Sequence, residues 1–235
     1  IYFTENGKTY SMPDYFSHSV IAEKIYERLD YKLKRKITSK SLYLLGAQGG
    51  DVFFAYSIKF SRNNPGRKLH TIEPAELFSK LANGNFGYAA GFAAHYALDC
   101  TLHPVVYSYQ RGSRSPLAHQ TFEGDLGLYI SRFYSIRRGI MPKDKVLSCT
   151  YGVYDSMKTI LPEITVTGTE RCLKRYFSFT RYNFKSKRQS YKCNFDFSSV
   201  AGLLEEAIDL GVKCINSLCF KEVDPALFNK SFLQR

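Results

Sequence analysis

The chain has 235 residues, of which 44% are hydrophobic and 23% charged, so a disordered or collagen-like protein is excluded. Thirty-three Lys and Arg against twenty-one Asp and Glu leave a formal charge of +12, which favours anionic partners such as phospholipid head groups, nucleic acid or phosphorylated metabolites. The apolar run Gly87–Leu98 is rich in Ala and Gly, is interrupted by His95, and falls short of the roughly 18–20 residues of a membrane span.

The first residues show neither a charged nor an apolar leader region, and the six cysteines form no C-x-x-C pair. Together these read as reduced thiols in a cytoplasmic protein.

In chain order, Ser17 is placed to cap a helix on which His18, Ile21, Ala22, Ile25 and Leu29 recur at helical spacing. A basic link, residues 32–40, leads to residues 41–46 and the turn Ala47-Gln-Gly-Gly. Asp51 then opens another helical stretch. Arg62-Asn-Asn-Pro-Gly-Arg reads as a loop, and Pro74 starts a helix running to Leu81 that Asn83-Gly84 closes. Residues 86–103 read as a buried helix ended by Pro104. Helical periodicity resumes over 119–136, 143–161 and 200–220. No alternation is long enough to need a sheet. The expected fold is therefore all-α: residues 1–235 form a single-domain multi-helix bundle, with no motif assigned to the helices of 140–235.

The chemistry concentrates on five histidines, three of them within residues 95–119. His95, Asp99 and His103 stand at i, i+4 and i+8, a stripe of about 80° on one helix. His119 and Glu123 repeat the i, i+4 pairing on the next. Imidazole and carboxylate suit zinc and similar divalent ions, and two facing helices can bring both sets to one metal cluster. Asp99 lies in the otherwise apolar run Gly91-Phe-Ala-Ala-His-Tyr-Ala-Leu-Asp-Cys, where a buried carboxylate needs a cation or strong donors. Ordinary alternatives stand beside this reading. Asp51 can simply cap a helix, His18 can lie on a helix surface, Glu123 can be solvated, and Asp125 reads as a surface acid.

Met12-Pro-Asp-Tyr-Phe-Ser-His18, Leu45-Gly-Ala-Gln-Gly-Gly-Asp51, Gly91-Phe-Ala-Ala-His95-Tyr-Ala-Leu-Asp99-Cys-Thr-Leu-His103-Pro104 and His119-x-x-x-Glu123, taken in order, resemble the zinc-dependent phospholipase C family over about residues 12–135. His70 falls where that family has another ligand. The resemblance implies an all-α phosphodiester hydrolase with two or three metal ions. Asp51, His70, His95 and Asp99 would hold one ion, and His103, His119 and Glu123 a second. His18 would hold a third, with Asp99 as bridge. Asp51 is the candidate catalytic residue, as general base or as ligand. The implied substrate is a phospholipid or related phosphodiester. A single-strand nuclease and a non-catalytic metal- or phosphate-binding protein are the alternatives.

Two features depart from the family. Its secreted members start with a metal-chelating Trp, and this chain has no Trp. They also place five residues between the bridging Asp and the next His, where this chain has three.

Residues 171–192 carry eight Lys and Arg among six Tyr and Phe, with no acid between them. The stretch reads either as a surface for anionic membrane or nucleic acid, or as a solvated basic face whose aromatics point inward.

Overall fold

The computed structural model describes residues 3–5, 8–10, 15–57, 63–137, 139–185, 190–220 and 223–232. A short antiparallel hairpin, β1 (Phe3–Glu5) with β2 (Lys8–Tyr10), pairs Thr4 with Thr9 and precedes an otherwise helical chain.

The helices are α1 (Tyr15–Arg28), α2 (Tyr31–Lys36), α3 (Lys40–Gly46), a 3-10 helix (Gly49–Tyr56), α4 (Pro65–Leu69), α5 (Pro74–Leu81) and α6 (Phe86–Gly112). They continue as α7 (Ala118–Phe133), α8 (Lys143–Ser148), α9 (Thr150–Met157), α10 (Val166–Lys185), a second 3-10 turn (Phe197–Val200) and α11 (Ala201–Cys219).

Helix α6 is the centre of the bundle, packed against α11, α3, α1 and α7. Its Ala and Gly residues are what allow this closeness. A Cβ at Gly91 would collide with the Tyr43 carbonyl, and one at Gly46 with the Tyr88 carbonyl, so the backbones of α3 and α6 meet directly. Apolar side chains from α1, α3, α6, α10 and α11 fill one continuous core. Within it the Tyr43 hydroxyl donates to the Ala22 carbonyl at 2.7 Å, which removes the cost of burying it. All six cysteines are free thiols, and five of them are buried. Among the described residues, no helix is long and apolar enough to cross a membrane.

Several local expectations need correction. The basic link contains α2, because the Asp30 carboxylate accepts from the Leu33 N–H at 2.7 Å and Leu33 is buried. The Asn-Pro-Gly loop is the start of α4: the Asn64 side chain accepts from the Gly66 N–H at 2.9 Å, with Pro65 at the first helical position. Ser17 does not cap α1 but lies inside it, buried. Pro104 does not end α6. It removes one N–H from the ladder, and the helix continues two further turns to Gly112. The stretch 143–161 divides at Cys149 into α8 and α9.

Helix α10 resolves part of the basic stretch. Cys172, Leu173 and Tyr176 face the core, while Arg171, Lys174, Arg181 and Tyr182 face solvent. The side chains of Phe184, Lys185, Lys187 and Arg188 lie outside the described residues, as do Met12, Pro13 and Asp14.

A candidate metal centre

The structure brings all eight sequence-predicted ligands into three groups: Asp51, His70 and His95; His18, His95 and Asp99; and His103, His119 and Glu123. Within each group one ligand atom per residue lies within 4.8 Å of the others. Helix α6 supplies His95, Asp99 and His103 from one face, α1 supplies His18, and α7 supplies His119 and Glu123. Asp51 comes from the first 3-10 helix, and His70 caps the C-terminus of α4.

The inner groups are built on the Gly49-Gly50-Asp51 turn. Gly49 has φ +54° and its Cα faces the His95 ring so closely that a Cβ would enter it. At Gly50 a Cβ would come within 2.9 Å of the His70 Cε1. Each imidazole thus lies on bare backbone, and the next residue offers its carboxylate between them. Oδ1 of Asp51 is 3.2 Å from His70 Nε2, and Oδ2 is 3.9 Å from His95 Nδ1. On its other side His70 donates from Nδ1 to the Gly66 carbonyl at 2.7 Å, one helical turn back, which leaves Nε2 bare toward Asp51.

Asp99 is the hub. Its Oδ2 is 3.2 Å from His95 Nε2, and its Oδ1 is 3.6 Å from His18 Nε2 and 3.8 Å from His103 Nε2. The inner groups share His95 as well as approaching Asp99, since the His95 and His18 Nδ1 atoms are only 3.2 Å apart. In the outer group, His119 Nε2 lies 2.9 Å from Glu123 Oε1, and the His103 and His119 rings are 5.8 Å apart. The inner residues are buried, whereas the His119 side chain is 21% exposed, so the centre opens to solvent on its α7 side.

Burial and charge set the protonation of this cluster. Desolvation, reinforced by the charges of Asp51 and Glu123, pushes the Asp99 carboxyl well above the carboxylate range. Burial and three neighbouring imidazoles hold His95 well below the usual histidine value, and burial holds His103 down at about 4. Burial also opposes charge on His70 and His119, but their carboxylate partners Asp51 and Glu123 outweigh it and raise both.

One detail tests whether a cation belongs here. His95 Nε2 is buried and sits 3.2 Å from Asp99 Oδ2, yet it makes no hydrogen bond. The separation suits a hydrogen bond and the alignment does not. Converging nitrogen and carboxylate lone pairs of this kind are what a divalent ion accepts, and the buried His and Asp groups can hold one.

Some contributors carry no sequence signal. Gln48 is buried beside the turn, donates from Nε2 to Ser19 Oγ at 3.1 Å, and accepts from the Tyr176 hydroxyl at 2.9 Å, which ties α10 to the site. Asp125 is not a surface acid. It is fully buried, and its Oδ2 accepts the Lys192 and Cys193 N–H groups at 2.7 Å each, clamping the strand of chain before the second 3-10 turn.

A pocket lined by Ser17, His18, Leu98, Asp99, Leu102, His103, Val106, Glu123 and Leu126 lies beside the hub. Its apolar lining comes from Leu98, Leu102, Val106 and Leu126, and four of the eight candidate ligands, His18, Asp99, His103 and Glu123, also line it. Comparison with protein-family models, with curated proteins and with solved structures finds no match to this chain.

Proposed function

We propose that this chain is a metal-dependent phosphodiester hydrolase, similar to the zinc-dependent phospholipase C family, with zinc at the His and Asp groups. The convergence of eight His, Asp and Glu side chains in three adjoining groups, from five separate elements, carries this reading. His18, Asp51, His70, His95 and Asp99 serve as inner ligands and His103, His119 and Glu123 as outer ones. Asp51 acts as a ligand, since its two oxygens are turned to two buried imidazoles.

Bound divalent ions would neutralise the phosphate charge and lower the pKa of a coordinated water toward neutrality. The protein's part is to hold the ester. Leu98, Leu102, Val106 and Leu126 form the buried apolar side of the pocket beside the hub, and the partly exposed edge at His119 and Glu123 admits the phosphate. The basic face of α10 and the net charge of +12 suit an anionic lipid surface. The same charge favours a polynucleotide, so a single-strand nuclease is the second reading.

The test is metal content by plasma mass spectrometry on protein purified without a His tag, followed by hydrolysis assays on a dispersed phospholipid and on single-stranded DNA. About two or more zinc equivalents with phospholipid cleavage are the expected result. Cleavage of DNA alone selects the nuclease reading, and metal without either hydrolysis selects the non-catalytic one. Less than about one equivalent, unrecovered on adding zinc, overturns the metal centre itself.

A further inference from the structure

Beyond α11, the segment 223–232 returns across α6 to the centre, held by two aromatic anchors. Phe228 is buried with its ring 4.3 Å from Phe78 and 5.4 Å from Tyr96, and the Tyr96 hydroxyl accepts the Lys230 N–H at 3.1 Å. Phe232 is the second anchor, 2% exposed. Its ring lies 5.9 Å from His70 and 6.2 Å from His95, and its carbonyl accepts from His103 Nδ1 at 2.7 Å. One residue therefore covers the inner histidines with its side chain and holds an outer histidine with its backbone.

A carbonyl can only accept, so this bond requires the proton on Nδ1 of His103 and leaves Nε2 bare. Nε2 is the nitrogen turned toward Asp99. An imidazole ligand is oriented in this way by whatever its other nitrogen bonds. For His70 the orienting carbonyl is Gly66, four residues away on the same short helix. For His103 it comes from 129 residues along the chain. Orientation of His70 is thus secured by local folding, and orientation of His103 only when the segment is docked.

The geometry points to Phe232 as a positioning residue of the metal centre: its docked carbonyl sets the His103 tautomer and its ring keeps water from His70 and His95. Metal loading and docking of segment 223–232 therefore strengthen each other. This rests on the reading of the cluster as a metal centre. The coupling is reciprocal by linkage: whatever affinity the docked segment adds for the metal, the metal adds for docking.

Cobalt(II) is the probe, because its visible absorption reports both affinity and coordination. Metal-free parent protein, Phe232→Ala, Phe232→Leu and the core variant Val153→Ala on α9 are titrated side by side. Phe232→Ala is expected to bind roughly tenfold or more weakly, with an altered cobalt spectrum. Phe232→Leu recovers most of the affinity by refilling the anchor, and Val153→Ala keeps parental affinity and spectrum. Parental affinity and spectrum in Phe232→Ala overturn the proposal. Equal weakening in Val153→Ala also overturns it, by reducing the effect to general instability.

The unmutated chain supplies the second measurement. Trypsin cleavage after the exposed Lys230, followed by intact mass, is expected to slow several-fold on adding cobalt. Equal rates with and without cobalt overturn the coupling, even if Phe232→Ala fails to fold. A parent that takes up no cobalt at all removes the metal centre and this proposal together, whereas uptake with no response to Phe232 leaves the centre and removes only the coupling.

Discussion

The Cα of Gly49 lies against the imidazole of His95 with no room for a methyl group between them. Backbone and ligand are in direct contact, at a residue whose φ of +54° already favours glycine.

Gly49→Ala is therefore expected to cost about 2–4 kcal/mol in the metal-free protein, from a left-handed alanine added to a displaced buried ring. It should also lower metal content. Thermal unfolding and metal analysis of one preparation check both. A variant that melts and loads like the parent would mean that His95 sits elsewhere.

Asp99→Asn is predicted to have opposite effects in the two states. Without metal, removing a carboxylate whose charge is disfavoured by burial, Asp51 and Glu123 should leave the melting temperature unchanged or raise it. With zinc added, the variant should bind at least about one equivalent less than the parent and gain less stability from it. Calorimetric scans with and without zinc read the sign of each effect. Loss of stability in both states would make Asp99 a structural residue only.

Metal affinity should rise with pH. His70, His119 and Asp99 are shifted upward, so a metal competes with protons for them over a higher pH range than for ordinary side chains. His95 and His103 are shifted downward and stand ready as bare imidazoles. Binding is expected to release protons in mild acid, and the release should fall as pH rises. Titration calorimetry in two buffers of different ionisation enthalpy measures this directly. A heat independent of buffer would contradict it.

The metal-free protein should lose stability in acid through His103. Its folded value of about 4 lies below the ordinary 6.5, so its contribution is complete above pH 6.5 and is lost as pH falls through 4. The total is on the order of 3 kcal/mol. His103→Gln should abolish that share of the slope in denaturant unfolding measured from pH 7 to pH 4. An unchanged slope would place the acid sensitivity in other groups.

Asp125→Ala is predicted to unfold about 2–4 kcal/mol more easily, since the part-buried Lys192 and buried Cys193 N–H groups lose their shared acceptor. Metal content should be retained, because Asp125 belongs to none of the ligand groups. Metal loss matching that of Asp99→Asn would mean that the clamp and the centre are one unit.

The helical class and the shared face of His95, Asp99 and His103 were legible because both rest on local spacing. The i, i+4, i+8 stripe of His95, Asp99 and His103 survives folding as one face of α6, and the Gly-Gly-Asp51 turn keeps its composition-driven bend. What escaped reading depends on distant partners. Phe232 acts through a carbonyl, which every residue carries, and reaches a histidine 129 positions earlier. Asp125 reads as a surface acid beside Glu123 because its two donors come from residues 192 and 193. Lys- and Arg-rich α2 and Pro-Gly-containing α4 were obscured by composition. In each a single capping side chain, Asp30 or Asn64, decides for helix.

Three of the proposed ligands ride on a single helix. Along α6 each residue advances about 1.5 Å, so His95, Asp99 and His103 are spaced by one helix. Adjustment to the radius or coordination number of a particular ion then falls to the other five ligands, which approach from α1, the first 3-10 helix, α4 and α7. Helix α6 is one jaw and those elements the other, so substitutions that change which metal is preferred belong around His18, Asp51, His70, His119 and Glu123 rather than along α6.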